Sequence, residues 1–202
     1  ITDRTKLIFL CNPNNPSGAV ITQAEFDEFM ARVPADVVVG LDEAYFEYNR
    51  AEDTVVGTEA VAEYPNVVGL RTFSKAYGLA GVRVGYAFGS EELIAALNKV
   101  CIPFAVNVVA QAGALASLAA ADELLERTEE TVVQRDRVAD ALGARRSQAN
   151  FIWLPGVDAD DVAARLAAQG VLVRAFPEGV RITVTTEEEA DQLLAACGKA
   201  GL

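Results

Sequence analysis

The sequence contains no histidine. That absence excludes Ser-His-Asp and Cys-His nucleophile activation and every His-ligated metal site, so acid–base chemistry must come from Lys, Tyr, Cys or carboxylates, or from a cofactor. Cysteine is scarce as well. Cys11, Cys101 and Cys197 stand far apart and form no CxxC pair, which argues against a disulfide scaffold and for reduced, buried thiols in a cytoplasmic protein. Positive charge is short: 17 Lys and Arg face 29 Asp and Glu, a net charge of −12. A surface that acidic repels phosphate backbones and anionic lipid heads, so neither nucleic acid nor a membrane is expected as a partner. The only Asn-x-Ser tripeptide, Asn15-Pro16-Ser17, is disqualified as a glycan acceptor by its proline. The first residues, ITDRTKLIFL, lack both a Met and the cationic start of a signal peptide, and they open just before a strand-like run. The expectation is a chain that begins partway through a larger protein.

One long stretch lacks charge altogether, from Val100 to Ala121. Its length would allow a membrane span. Pro103, Asn107, Gln111 and Ser117 interrupt it, alanine dominates the remainder, and no Lys/Arg cluster flanks it. It reads instead as a helix buried inside the protein or at a subunit interface.

What is present suits a globular α/β protein. The chain has 202 residues, 51% hydrophobic and 23% charged, enough for one large domain or two small ones. Three apolar runs, Lys6–Cys11, Val37–Leu41 and Val67–Arg71, lack alternation, as parallel strands covered on both faces do. The spacers between them are long enough for right-handed crossovers. In the first spacer Thr22 and Glu25 form a capping box ahead of an amphipathic helix. Val84–Phe88 reads as a further strand. Residues 122–142 have helical periodicity, with Leu124, Leu125, Val132, Val138 and Leu142 as core positions. Beyond Gly143 the texture changes: strands at Asn150–Leu154, Val171–Arg174 and Val180–Val184 interleave with helices near 158–169 and 186–198, a small α+β unit.

Open α/β sheets bind ligands at the carboxyl ends of their strands. The first run ends in Asn12-Pro13-Asn14-Asn15-Pro16-Ser17-Gly18, the second in Asp42-Glu43-Ala44-Tyr45, the third in Thr72-Phe73-Ser74-Lys75 ahead of Ala76-Tyr77-Gly78-Leu79-Ala80-Gly81-Val82-Arg83. One sheet edge would therefore gather Asn15, Asp42, Tyr45, Ser74, Lys75 and Arg83. Taken singly, the first segment is a turn, Asp42 a helix cap and Lys75 a solvated surface charge. Their conjunction at parallel-strand spacing points to a site. A nucleotide loop is not the explanation, because Gly78, Gly81, Gly85 and Gly89 match neither G-x-G-x-x-G nor a P-loop.

NPNNPSG, DEAY and SKAYGLAGVRVGY, in this order and spacing, resemble the fold-type I aminotransferases that use pyridoxal phosphate, in particular the histidinol-phosphate and aromatic-amino-acid (phenylalanine) aminotransferase group. The resemblance runs over essentially the whole chain and matches the C-terminal portion of such enzymes. It implies a partial type I large domain, mostly a parallel sheet with helices, over residues 1–121, and a linking helix with a small α+β C-terminal domain over residues 122–202. It implies pyridoxal 5′-phosphate as cofactor, no metal, amino-acid and 2-oxo-acid substrates and a homodimer. Lys75 would bind the cofactor aldehyde and then carry the substrate proton, which requires that its environment or the attachment itself suppress its charge. Asp42 would face the pyridine nitrogen and keep it protonated. A carboxylate about 4 Å away at an effective dielectric of about 20 contributes roughly 4 kcal/mol, or about 3 pKa units. Asn15 and Tyr45 would bond the ring's phenolic oxygen. Thr72, Ser74 and Arg83 would hold the phosphate, the guanidinium supplying charge and the hydroxyls direction.

Arg181 in VRITV matches the family position that grips the substrate α-carboxylate. Arg174 is a candidate for contact with substrate or a partner loop, and Asn150 either assists Arg181 or forms a turn. Phe104, Tyr77 and Trp153 offer apolar surface. The relatives' phosphate loop, ring-stacking aromatic and cross-subunit tyrosine lie upstream of Ile1. The implied activity is amino transfer between an aromatic L-amino acid and a 2-oxo acid, within amino-acid biosynthesis. Histidinol-phosphate amino transfer in histidine biosynthesis is the alternative. Other type I chemistries and a non-catalytic effector domain of a regulator also remain open.

Overall fold

The computed structural model describes all residues from Ile1 to Leu202. Four strands form the first sheet in sequence order: β1 (Leu7–Cys11), β2 (Val38–Asp42), β3 (Val67–Thr72) and β4 (Gly85–Gly89). The first three are parallel, with Leu7 opposite Val38 and Val39 opposite Val67, and β4 runs antiparallel to β3. The expected runs are thus strands within a residue or so, and the sheet is mixed and mostly parallel. Helices α1 (Gln23–Met30) and α2 (Gly57–Glu63) fill the two crossovers. The capping box starts α1: Thr22 Oγ1 accepts from the Glu25 amide, and Glu25 Oε2 accepts from the Thr22 amide. Each contact satisfies a backbone donor that the helix itself leaves free. Phe26 and Met30 of α1 then pack with Val39, Leu41, Val55, Ala60 and Val67 into one core.

Three further helices follow: α3 (Glu91–Val100), α4 (Val108–Ala119) and α5 (Ala121–Ala141). The second sheet contains β5 (Phe151–Pro155), β6 (Arg174–Phe176) and β7 (Gly179–Thr183) in the order β5-β7-β6, all antiparallel. Helices α6 (Ala159–Ala167) and α7 (Glu187–Ala200) pack on it, and Ile152, Leu166, Ile182, Leu193 and Cys197 share a core with Val138 of α5. A third cluster joins the two sheets: Tyr45, Tyr48 and Ala76 from the first side meet Val132 of α5, Ala149 and Phe151. This seam fixes the loops of the first sheet against β5.

Several expectations need correction. Strand β6 starts at Arg174, three residues later than the apolar run suggested, because Leu172 lies outside the ladder and is exposed. Leu125 is 61% exposed, whereas Val132 and Val138 are buried. Cys101 is exposed and Cys11 half-buried, leaving only Cys197 as a buried thiol; none is in a disulfide. Leu7 and Phe9, two residues apart and so on one face of the edge strand β1, are 50% and 61% exposed, so the expected cover on both faces fails there. The uncharged stretch is not buried within the chain either. In α4 only Ala110 and Ala114 are buried, while Val100, Ile102, Phe104, Val108, Val109, Leu115 and Leu118 all face outward. No single helix is long and apolar enough to cross a membrane; α4 and α5 pass that test only as a pair bent by 81°.

Candidate active site

The NPNNPSG segment is a built loop whose internal bonds decide which asparagine is left over. Asn12 is buried; its Oδ1 accepts from the Ile21 amide, and its Nδ2 donates to Thr54 Oγ1 and the Val55 carbonyl. Asn14 Nδ2 donates to Ser17 Oγ at 2.7 Å, and the Gly18 amide donates to the Asn14 carbonyl. Gly18 has φ +69°, and an added Cβ would lie 2.0 Å from Ser147 Oγ. Only glycine permits that approach, through which the Gln148 amide donates to the Gly18 carbonyl. The loop is thereby pressed against the segment leading into β5. Asn15 remains, exposed at the tip, and its Oδ1 accepts from Arg181 Nη1 at 2.8 Å.

Asp42 ends β2, and its Oδ1 accepts from the Ala44 amide at 3.0 Å, which fixes the carboxylate while the other oxygen has no protein partner. The next residue, Glu43, is structural. It is buried and accepts from the Gly57 amide and from Arg71 Nε at 2.8 Å, an ion pair that leaves neither charge without a partner. The Arg71 guanidinium also lies 3.7 Å from the centre of the Phe46 ring. Tyr45 is buried, and its ring meets Phe151 edge-on at 5.1 Å. Burial pushes its phenol upward; Asp42 and Cys11 act the same way, and Arg181 opposes them.

Lys75 sits in a turn after β3 closed by Gly78 N–H to the Lys75 carbonyl and Leu79 N–H to the Phe73 carbonyl. Arg127 of α5 ties that turn down by donating to the Ala76 carbonyl at 2.7 Å. The Lys75 side chain is exposed, with Nζ 5.5 Å from the centre of the Tyr45 ring. Thr72 Oγ1 accepts from the Ser74 amide, which leaves the hydroxyl hydrogen free to donate outward. Arg83 has φ +58° and donates to the Ala80 carbonyl of its own loop; nothing joins it directly to the other candidates. Asn150 accepts from the Val184 amide through its backbone carbonyl, and its side chain makes no bond to Arg181.

On the second sheet Arg181 stands opposite Trp153 on β5 and Arg174 on β6, so the three lie side by side on one face. The Arg181 guanidinium stacks 5.1 Å from the Phe151 ring centre, and its Nε is buried without a hydrogen-bond partner. None of Lys75, Arg83, Arg174 and Arg181 takes part in a salt bridge, although the chain carries twelve surplus negative charges. Elsewhere Lys6, Arg32, Arg50, Arg71, Arg135, Arg137, Arg146 and Arg165 are paired with carboxylates, whereas Arg4, Lys99, Arg127, Arg145 and Lys199 are also without an ion pair, so it is the placing of the four and not their lack of partners that sets them apart. Unpaired cations beside a fixed carboxylate are the makings of a site for an anionic ligand that also carries a basic centre.

The Asn15–Arg181 bond was not anticipated from sequence. It joins residues 166 positions apart, and no local pattern signals it. Scarcity alone makes Cys11 a buried thiol, whereas strand spacing also places it as the last residue of β1, opposite Asp42.

A mostly parallel α/β sheet joined to a small α+β sheet, with polar residues gathered at the strands' carboxyl ends, is the architecture of the type I pyridoxal-phosphate-dependent transferases. The fold matches histidinol-phosphate aminotransferase from Sinorhizobium meliloti, solved in complex with pyridoxal-5′-phosphate, with a TM-score of 0.85 at 32% identity over 96% of this chain and 56% of that one. Residues 1–196 match the family model for aminotransferase class I and II, and the chain belongs to that family. It is 71% identical over 196 residues to the aromatic amino acid aminotransferase of Corynebacterium efficiens, covering 97% of this chain and 57% of that protein. Against the aromatic amino acid aminotransferase of Corynebacterium glutamicum it is 69% identical, with 97% and 58% covered. The chain thus spans a little over half the length of these curated relatives.

Proposed function

We propose that the whole protein is a pyridoxal-phosphate-dependent aminotransferase that moves an amino group between an aromatic L-amino acid and a 2-oxo acid. The observation that carries this reading is the convergence of an unpaired lysine, a fixed carboxylate and an unpaired arginine from a second sheet, in a chain 71% identical to an aromatic amino acid aminotransferase. The donor set fits the cofactor. An amine suits its aldehyde, a carboxylate its ring nitrogen, an amide and a phenol its ring oxygen, and Arg83 with Thr72 and Ser74 its phosphate. Bound there, the cofactor supplies an electron sink for charge developing at the substrate α-carbon.

In this reading the Lys75 amine would hold the cofactor and would be the group that takes up the proton from the substrate α-carbon. Its openness to solvent and freedom from any carboxylate leave it able to swing between the two tasks. Asp42, immobilised by the Ala44 amide, holds a proton on the ring nitrogen. Tyr45, kept protonated by burial, donates from its hydroxyl to the ring oxygen. Arg181 fixes the substrate α-carboxylate through a guanidinium oriented by Asn15 and Phe151. Arg174, beside it in the ladder, faces the distal end of the substrate. Asn150 retains its backbone role at the start of β5. The boundary between the two units falls at residues 121/122.

Arg181→Ala in the full-length protein should lower kcat/KM for every carboxylate substrate by about 30- to 1000-fold, the loss of a charge-assisted bidentate pair worth about 2–4 kcal/mol. Cofactor binding should stay near normal, because Arg83 rather than Arg181 is assigned to the phosphate. Unchanged phenylalanine turnover in this variant would remove Arg181 from the carboxylate role. One observation favours a second substrate: Arg174 and Arg181 are opposite each other in the ladder and neither is in an ion pair, an arrangement that also suits a phosphate. Specificity constants for phenylalanine, tyrosine and histidinol phosphate, each against 2-oxoglutarate, separate the two readings. A value for histidinol phosphate more than about tenfold above the others, a difference of about 1.4 kcal/mol, contradicts the aromatic assignment.

The outward-facing apolar residues of α3, α4 and the loop between them, including Phe104 at 98% exposure and φ +59°, support a homodimer closed over this face. Light scattering of the full-length protein should give twice the chain mass; a monomer with activity intact contradicts it. Three cysteines free of disulfides are in keeping with a reducing, cytoplasmic location.

A further inference from the structure

Cys11 has no part in the chemistry described above, yet its position is tightly defined. It is the last residue of β1 and stands opposite Asp42 in the parallel ladder. The ladder does not diverge there, since the Asn12 amide still donates to the Asp42 carbonyl at 2.8 Å. Side chains of residues opposite each other in a parallel pair emerge on the same face, and the next residue points the other way. Asn12 does so, into its buried bonds with Thr54 and Val55. The Cys11 sulfur therefore shares a face with the Asp42 carboxylate and lies within electrostatic reach of both Asp42 and Tyr45. It is only half-buried and makes no hydrogen bond, and on the same face one Asp42 carboxylate oxygen also lacks a partner.

We propose that the Cys11 thiol forms part of the wall of the cofactor site, so that bound cofactor and a group added to this sulfur compete for one space. The proposal rests on the cofactor assignment made above and extends it to a residue with no assigned role. It makes Cys11 a modification site for soft electrophiles, gated by cofactor occupancy. With iodoacetamide the thiolate sulfur attacks the methylene carbon, the carbon–iodine bond breaks, iodide leaves and the thiol proton passes to solvent. Burial and Asp42 push the thiol upward, so the reaction is run at alkaline pH, where enough thiolate forms.

The other two cysteines serve as comparators within the same chain. Cys101, on the face assigned above to the homodimer, and Cys197, buried in the core of the second sheet, both lie away from Asp42 and report any opening of the molecule as a whole. Full-length protein is treated with iodoacetamide with and without pyridoxal phosphate, and labelling is followed for each cysteine by peptide mass mapping. With cofactor at about 100 times its Kd, the free fraction falls to about one hundredth, so Cys11 labelling should slow by about that factor while the Cys101 rate is unchanged. In the reverse order, protein already labelled at Cys11 should fail to take up cofactor, measured by absorbance and by the mass of a borohydride-fixed adduct on Lys75. Cys11→Ser removes the nucleophile, so its cofactor uptake, whatever its level, should be the same before and after iodoacetamide treatment. An adduct on Lys75 with no protection of Cys11 overturns the proposal and leaves the cofactor assignment standing. An adduct absent from Lys75 in untreated protein overturns both. Equal slowing of Cys11 and Cys101 indicates a change in the whole molecule, and it too contradicts the proposal.

Discussion

Replacing Lys75 with alanine in the full-length protein is expected to lower kcat by about four orders of magnitude, the upper end of what a positioned proton-transfer group contributes. The effect should be confined to chemistry. The Lys75 side chain is exposed and takes part in no salt bridge or hydrogen bond, so its removal belongs with surface substitutions that shift stability by less than about 0.5 kcal/mol. Without cofactor, the thermal midpoint should therefore match that of the parent protein, while turnover of the loaded variant falls. Arginine at the same position should fail as well, since a guanidinium remains charged and cannot take up a proton. A kcat within about tenfold of the parent, or about 1.4 kcal/mol in barrier, would show that another group moves the proton.

Asp42→Asn is expected to have the second-largest effect. The substitution keeps shape and the one bond the structure gives this side chain, because an amide oxygen can accept from the Ala44 amide as the carboxylate does. Only the charge is lost. A carboxylate contributing about 4 kcal/mol to holding the ring nitrogen protonated predicts a fall in kcat of up to about a thousandfold. Folding should be unaffected and cofactor attachment at Lys75 retained, which separates this loss from that of Lys75→Ala. Near-normal turnover in Asp42→Asn removes Asp42 from its assigned role.

Those two residues could be found in the sequence because strand period and strand ends are local properties. Apolar runs before Asn12, Asp42 and Thr72 mark β1, β2 and β3 without any knowledge of tertiary contacts, and parallel strands bring their carboxyl ends to one edge. The capping box at Thr22 and Glu25 was legible for the same reason, since its two bonds span three residues. Contacts across the seam were not. Asn15 was assigned to the cofactor ring, but whether its amide also meets Arg181 depends on how β5 and β7 are held against the first sheet, through Gly18 on Ser147 and Tyr45 on Phe151. The apolar stretch from Val100 to Ala121 is legible as needing cover; composition could not say that the rest of residues 1–202 leaves it exposed. At β6 hydrophobicity misled, because Leu172 precedes the ladder and is exposed.

The most direct measurement is borohydride reduction of the full-length protein loaded with pyridoxal phosphate, followed by proteolysis and peptide mass mapping. Reduction fixes the cofactor to whichever amine holds it. The account predicts a single modified peptide containing TFSKAYGLAG, with the added mass on Lys75. A cofactor adduct on Lys6, Lys99, Lys199 or a lysine outside this chain, with none on Lys75, would contradict it.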